Sequence, residues 1–276
     1  MDLHFILGGA LVGFIVGATG VGGGSLMTPL LTLVFNVPAQ IAVGTDLLFA
    51  SLTKASGALA HARRGSVSWP VTGWLVAGSV PAALATLGAV HLVKPDAAVF
   101  ADIVKRTLGV ALFLTAGALV FRAQIQALGQ RFAGGGERVL SLVAASGAGS
   151  VRVTEERVAR PLPTMLIGAV IGTLVTLTSV GAGVIGVVAL FFLYPLLPTR
   201  QIVGSDIAHA VPLTLVAGLG HVSLGNVNWS MLGMLLIGSL PAIHVGAAVA
   251  HRLPERALRI ALATMLIGIG ARLVLG

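Results

Sequence analysis

The chain has 276 residues, of which 56% are hydrophobic and only 9% charged, with a mean hydropathy of +1.00. That composition excludes an ordinary soluble domain and describes a polytopic protein whose solvent is the lipid bilayer. The net charge of +8 with few aromatics does not describe a nucleic-acid binder, because no basic run is interleaved with stacking residues. The absence of cysteine excludes disulfides, thiolate metal sites and cysteine nucleophiles.

The first element is Phe5 to Phe35. No Asp, Glu, Lys or Arg occurs between Asp2 and Asp46, and the N-terminus lacks the basic flank and cleavage pattern of a signal peptide, so it reads as a membrane segment. A straight helix of this length would reach about 46 Å at 1.5 Å per residue, against a hydrocarbon core of about 30 Å. The run "GVGGGS", Gly20 to Ser25, divides it into two shorter helices meeting at glycine. Helices are then expected near 43–61, 69–92 and 101–121. A Gly-, Ser- and Arg-rich segment, 123–160, reads as a polar linker between two membrane units, 1–122 and 161–276. In the second unit Leu162 to Tyr194 breaks at "SVGAG", Ser179 to Gly183, and helices follow near 202–221, 229–251 and 256–274.

The second unit repeats the first. Gly9, Gly13, Thr19, Val21, Gly22 and Gly24 face Gly168, Gly172, Thr178, Val180, Gly181 and Gly183. Beyond a one-residue insertion, Pro38, Gly44, Asp46, His61, Gly65 and Trp69 face Pro198, Gly204, Asp206, His221, Gly225 and Trp229. Each broken segment returns the chain to the side it started from, so an odd number of crossings follows and the second unit is inverted. Loop charge agrees: with the linker in the cytoplasm, Arg63, Arg64, Arg252, Arg256 and Arg259 also lie inside, and the uncharged "HVSLGNVNW" lies outside with both termini. The expected fold is an all-α polytopic membrane protein of two inverted repeats, each a Gly-broken helical hairpin followed by about three transmembrane helices.

A helix broken inside the bilayer leaves amides that are tolerated only in protein or at a wet cavity. Their positive dipole end suits an oxyanion. Gly22, Gly23, Gly24, Ser25, Gly181 and Gly183 are therefore candidate substrate contacts, with small-residue helix packing as the structural alternative. Thr45, Ser205 and Lys54 complete the proposed anion site; the counterpart of Lys54 is Thr214. Asp46, Asp206 and His209 are candidate proton carriers, since ionisable groups within the membrane are costly. A carboxylate following a Gly-hydroxyl pair could instead cap a helix start. His61 and His221 read as helix C-terminal caps, His244 as polar packing, and Trp69 and Trp229 as interfacial anchors. No metal site or cofactor motif is present in the sequence pattern.

The ordered motifs "GATGVGGGSLMTPLLTL", "VPAQIAVGTD" and "HARRGSVSW", repeated in degenerate form, resemble the TauE/SafE family of sulfite and organosulfur anion exporters. The likeness covers both halves apart from the linker. It implies export of sulfite, sulfoacetate or a related anion through the inner membrane of a bacterium, with the Gly-rich segment and Gly44–Thr45 in the permeation path. Asp46 and Asp206 stand where that family usually has a hydroxyl residue, a departure that makes proton coupling explicit or changes the substrate. The reading is an alternating-access secondary transporter whose partners are a small anion, protons and the lipid bilayer. A passive anion channel is the first alternative. An intramembrane aspartyl protease is the second, although "VGTD" and "VGSD" lack a Gly-x-Gly-Asp pattern.

Overall fold

A computed structural model describes residues 3–19, 24–93, 96–132, 160–249 and 255–275. Within them the chain is helical: α1 (Leu3–Thr19), α2 (Gly24–Pro29), α3 (Ala39–Arg63), α4 (Trp69–Val93), α5 (Ala97–Phe132), α6 (Pro161–Thr178), α7 (Val184–Leu193), α8 (Thr199–Ser223), α9 (Trp229–Val249) and α10 (Glu255–Leu275). Among the described residues, α4, α5, α6, α8 and α9 are long and apolar enough to cross a membrane.

Both long apolar segments are broken. In the first, α1 ends at Thr19 and α2 starts at Gly24. Pro29 has no N–H to donate, and beyond it the chain widens into a π turn over Leu30–Val34, where Thr32 Oγ1 donates to the Thr28 carbonyl at 2.9 Å. In the second, Ser179 adopts a left-handed conformation (φ 59°), followed by Gly181 and Gly183 at φ 119° and 147°. Side chains at the two glycines would be strained there, so glycine lets α6 stop and α7 restart within a few residues. Each break makes a hairpin. The Tyr194 hydroxyl, just past α7, lies 2.6 Å from Thr164 Oγ1 near the start of α6. The Phe35 ring likewise packs on Phe5, centroids 5.2 Å apart, near the start of α1.

Helices from the first and second halves of the chain interlock. Along α1, Gly9, Gly13 and Gly17 meet the backbone of Leu235, Ser239 and Ile243 on α9, in rising order, so these helices run parallel and touch through small residues. The equivalent pair behaves identically: Gly168 and Gly172 of α6 meet Leu75 and Ser79 of α4. At the centre α3 crosses its own counterpart α8 in opposite order. Gly44 approaches His221, Gly218 approaches Leu48, Gly57 approaches Ile207, and Gly204 approaches His61. α5 and α10 pair along one flank.

Three expectations change. The helices expected from 43 and 202 begin at Ala39 and Thr199, because Pro38 and Pro198, each with φ near −55°, serve as their N-caps. Asp46 and Asp206 therefore lie within helices and cap nothing. The helix expected to end at 121 runs to Phe132, into the segment read as linker, because "FRAQIQALGQRF" is rich in helix formers. The rest of that segment, 133–159, is outside the described residues.

Candidate functional site

The centre of the molecule is the α3–α8 crossing, and its two loop contacts repeat each other. The Thr45 hydroxyl accepts the backbone N–H of Asn228 at 3.1 Å, and the Ser205 hydroxyl accepts that of Ser68 at 2.8 Å. Gly44 and Gly204 are glycine because the carbonyls of Asn226 and Ser66 fill the space a Cβ would take. The "GT" and "GS" pairs thus hold the loop entering the fourth helix of the opposite unit. His61 Nδ1 lies 2.9 Å from Ser66 Oγ, closing its own turn. Buried His221 differs from the cap expected of it: its Nε2 donates to the Thr176 carbonyl of α6 at 2.9 Å, tying α8 to that helix.

The aspartates follow in the next helical position, and both are buried. Their surroundings differ. Asp46 Oδ2 accepts a hydrogen bond from Thr28 Oγ1 at 2.6 Å, and Ser179 of the second break adjoins the same carboxyl. Asp206 instead presses on α7, where a Cβ on Gly186 would collide with its Oδ1. The first oxygen, Oδ1, of each aspartate has no hydrogen-bond partner. One turn beyond Asp206, His209 is fully buried, with Nε2 2.9 Å from Ser79 Oγ of α4 and Nδ1 unpartnered.

Lys54 joins the two halves. Its ammonium donates to the Ala182 carbonyl inside the α6–α7 break and acts electrostatically on both Asp206 and Asp46. It lines a cavity of about 320 Å³ together with Asp206, Arg122 of α5, and Gly183 and Val184 at the start of α7. The Arg122 guanidinium stacks over Phe191 of α7 at 4.7 Å from the ring centroid. Most of the remaining wall is aliphatic. Two cations, a carboxylate and the N-terminal end of a ten-residue helix therefore converge on one apolar hollow, an arrangement that can hold an anion with a hydrophobic body.

Of the residues expected from sequence, Lys54, Gly183 and Asp206 come together in this cavity. Gly181 lies in the adjoining turn, and Thr45 and Ser205 hold loops at opposite ends of the α3–α8 crossing without lining the cavity. Gly24 and Ser25 open α2, and Gly22 and Gly23 lie outside the described residues. Thr28, Arg122 and Gly186 escaped the sequence reading as site residues, and Ser179 entered it only as the first residue of the second break. Thr28 and Gly186 have no like residue in the other unit, Val187 and Met27 standing there instead, so a search for repeated residues passes over them. Among the described residues no cluster of His, Cys, Asp and Glu could hold a metal ion.

A family model described as "Sulfite exporter TauE/SafE" matches residues 5–273. The chain belongs to the TauE/SafE family. A Bacillus subtilis relative named "Probable membrane transporter protein YjnA" is 34% identical over 274 residues, covering 99% of this chain and 100% of its own. "Probable membrane transporter protein YdhB" from the same organism is 25% identical over 91% of each chain. A Xylella fastidiosa "Probable membrane transporter protein" is 27% identical over 89% of this chain and 83% of its own. No solved structure matches. As a TauE/SafE member the chain is a multi-pass membrane transporter, not an enzyme, and the aspartyl protease alternative falls with that assignment.

Proposed function

We propose that the protein is a secondary transporter exporting a small anion, sulfite or an organosulfonate, from a bacterial cytoplasm through the inner membrane. The observation that carries this reading is the cavity in which Lys54, Arg122 and Asp206 meet the start of α7 at a helix break. Lys54, with the amides at Gly183, holds the anion; Gly181 gives the turn its shape, and Thr45 and Ser205 fix the loops at opposite ends of the α3–α8 crossing. Gly22, Gly23, Gly24 and Ser25 form the equivalent half-site at the other break. Asp206, with His209 one turn away, carries the proton that links export to the gradient. Asp46 is the matching acid of the other half.

Inverted repeats are supported by the antiparallel crossing of α3 and α8 and by the hairpins that return at Tyr194 and Phe35. Alternating access is supported by a difference between equivalent places. Asp206 and half-buried Gly57 line the cavity, whereas Ala217, the counterpart of Gly57, is fully buried, and Asp46 is buried against Thr28 and Ser179. If one unit takes the other's conformation in turn, the opening moves from the Asp206 side to the Asp46 side. With the linker and the Arg63–Arg64 loop in the cytoplasm, the present opening faces inward.

The test is flux of sulfite and sulfoacetate in proteoliposomes, with and without an imposed pH gradient, for the intact protein and Asp206→Asn. Gradient-dependent flux that the variant loses is the expected outcome. Flux that ignores the gradient and never exceeds downhill equilibration would make the protein a passive channel; no flux of either anion would remove the sulfur-anion assignment.

A further inference from the structure

The two buried aspartates are equivalent by repeat but not by chemistry. Asp206 faces the cavity with an ammonium and a guanidinium. Around Asp46 stand the Thr28 hydroxyl, its Oγ1 2.6 Å from Oδ2, the Thr28 backbone N–H and the Ser179 hydroxyl. Asp46 Oδ1 and Ser179 Oγ are buried, the serine hydroxyl lying against the carboxyl, yet neither atom makes a hydrogen bond of ordinary geometry; their residues are 0% and 4% exposed. Unpaired buried polar atoms are costly, and a carboxylate oxygen more than most.

Their place in the fold adds a second argument. Ser179 is the C-cap of α6, in the left-handed conformation that ends the helix. The last carbonyls of a helix are short of amide partners, and its C-terminal end carries partial negative charge. Asp46 therefore lies against the negative end of one broken helix, while Asp206 lies against the positive end of the next, α7. Lys54 acts on both carboxyls. The Asp46 side presents the carboxyl, two hydroxyls and the carbonyl end of α6, with Lys54 as the cation that acts on it. Broken-helix C-termini with a carboxylate and hydroxyls are suited to a small hard monovalent cation.

We infer that Asp46 Oδ1, Ser179 Oγ and the carbonyl end of α6, with Thr28 orienting the carboxylate, form an enclosed Na⁺ site. The inference rests on the transporter reading only in giving the ion a purpose, which is to add a Na⁺ gradient to the proton gradient carried at Asp206, with Asp46 serving as an ion ligand in the state that binds Na⁺. Binding Na⁺ joins α3 of the first unit to the α6–α7 break of the second. Because that same break presents Ala182 to Lys54 and Gly183 to the cavity, an ion at Asp46 sets the shape of the anion site.

The test uses the full-length protein in detergent and in proteoliposomes, with Na⁺ exchanged for K⁺ or choline at constant ionic strength and pH. A saturable rise of Tm specific to Na⁺ is expected, as for any ligand that binds the folded state alone. Ser179→Ala and Asp46→Asn should each weaken the apparent Na⁺ affinity about tenfold or more, the loss of one charge-assisted contact; Thr28→Ser, which keeps the hydroxyl, should leave it within about twofold. Ser179→Ala keeps the test informative if Asp46→Asn fails to fold. Identical Tm in all three salts, or a Na⁺ response unchanged in Ser179→Ala, overturns the site. Sulfur-anion flux with no Na⁺ response removes the ion site and leaves the anion reading standing. Na⁺ stabilisation without such flux does the reverse.

Discussion

At the scale of single residues, Lys54 and Gly186 make opposite kinds of statement. Lys54 spans from α3 to a carbonyl of the α6–α7 break while facing two carboxyls, so Lys54→Gln removes both a charged hydrogen bond and the cation of the cavity. A charged hydrogen bond is worth about 1.5 to 3 kcal/mol, so anion affinity measured by flux against concentration should fall roughly ten- to a hundredfold. Gly186 carries no chemistry, yet a methyl there would collide with Asp206 Oδ1. Gly186→Ala should raise intrinsic helix preference by about 1 kcal/mol while displacing the carboxyl and lowering flux. Tm and transport moving apart in that variant would identify a space kept clear for Asp206; unchanged flux would show the carboxyl can turn away freely. Lys54 was legible in the sequence because an ammonium amid apolar residues, two turns before Arg63, has few explanations. Gly186 was not, since its reason is a contact with a residue twenty positions on in a helix whose packing the sequence does not encode locally.

Among the elements, glycines divide by what they touch. Gly13 faces Ser239 of α9 backbone to backbone, whereas a Cβ on Gly73 of α4 would meet nothing within 4 Å. Gly13→Val should therefore force α1 away from α9 and cost about 3 kcal/mol, at the upper end for overpacking. Gly73→Ala should be neutral or gain about 0.5 to 1 kcal/mol of helix propensity. Melting curves of the two purified variants check both; equal effects would mean that the α1–α9 seam is not held by close approach. The breaks at "GVGGGS" and "SVGAG" were legible because a charge-free run too long for one span must be divided at its glycines. The sequence also offered small-residue packing as an alternative use of glycine, and the fold uses both: Gly9, Gly13 and Gly17 pack, while Gly181 and Gly183 turn the chain. The starts of α3 and α8 were misplaced by one turn because apolar periodicity fades near Pro38 and Pro198, and a proline N-cap leaves no side-chain signal. That misplacement is what made the aspartates look like caps.

For the whole molecule, the matched segments of the two halves were legible in the sequence, and their packing was not. Matching Gly44–Asp46 with Gly204–Asp206 identified equivalent elements, but which helices pack together depends on surfaces that complement each other only once folded. The cysteine-free chain makes the proposed change of access measurable with single cysteines at equivalent positions. Gly57→Cys should react with a membrane-impermeant maleimide from the cytoplasmic side, and Ala217→Cys should resist it from either side. Adding substrate under a gradient should slow the first and expose the second to the outer side. Constant labelling at both positions would fit a fixed pore instead.

The crossed pairing of α1 with α9 and of α6 with α4 also governs how the protein can be made. When the first half leaves the ribosome, the glycine face of α1 and the face of α4 around Gly78, which meets the Met165 backbone of α6, have no partner, because both partners are encoded after residue 160. The half-finished protein must wait in the bilayer with its closest-packing surfaces covered by lipid, and it completes its core only when the second unit inserts between its helices. Two separately synthesised halves should then accumulate only when produced together, each acting as the template on which the other assembles.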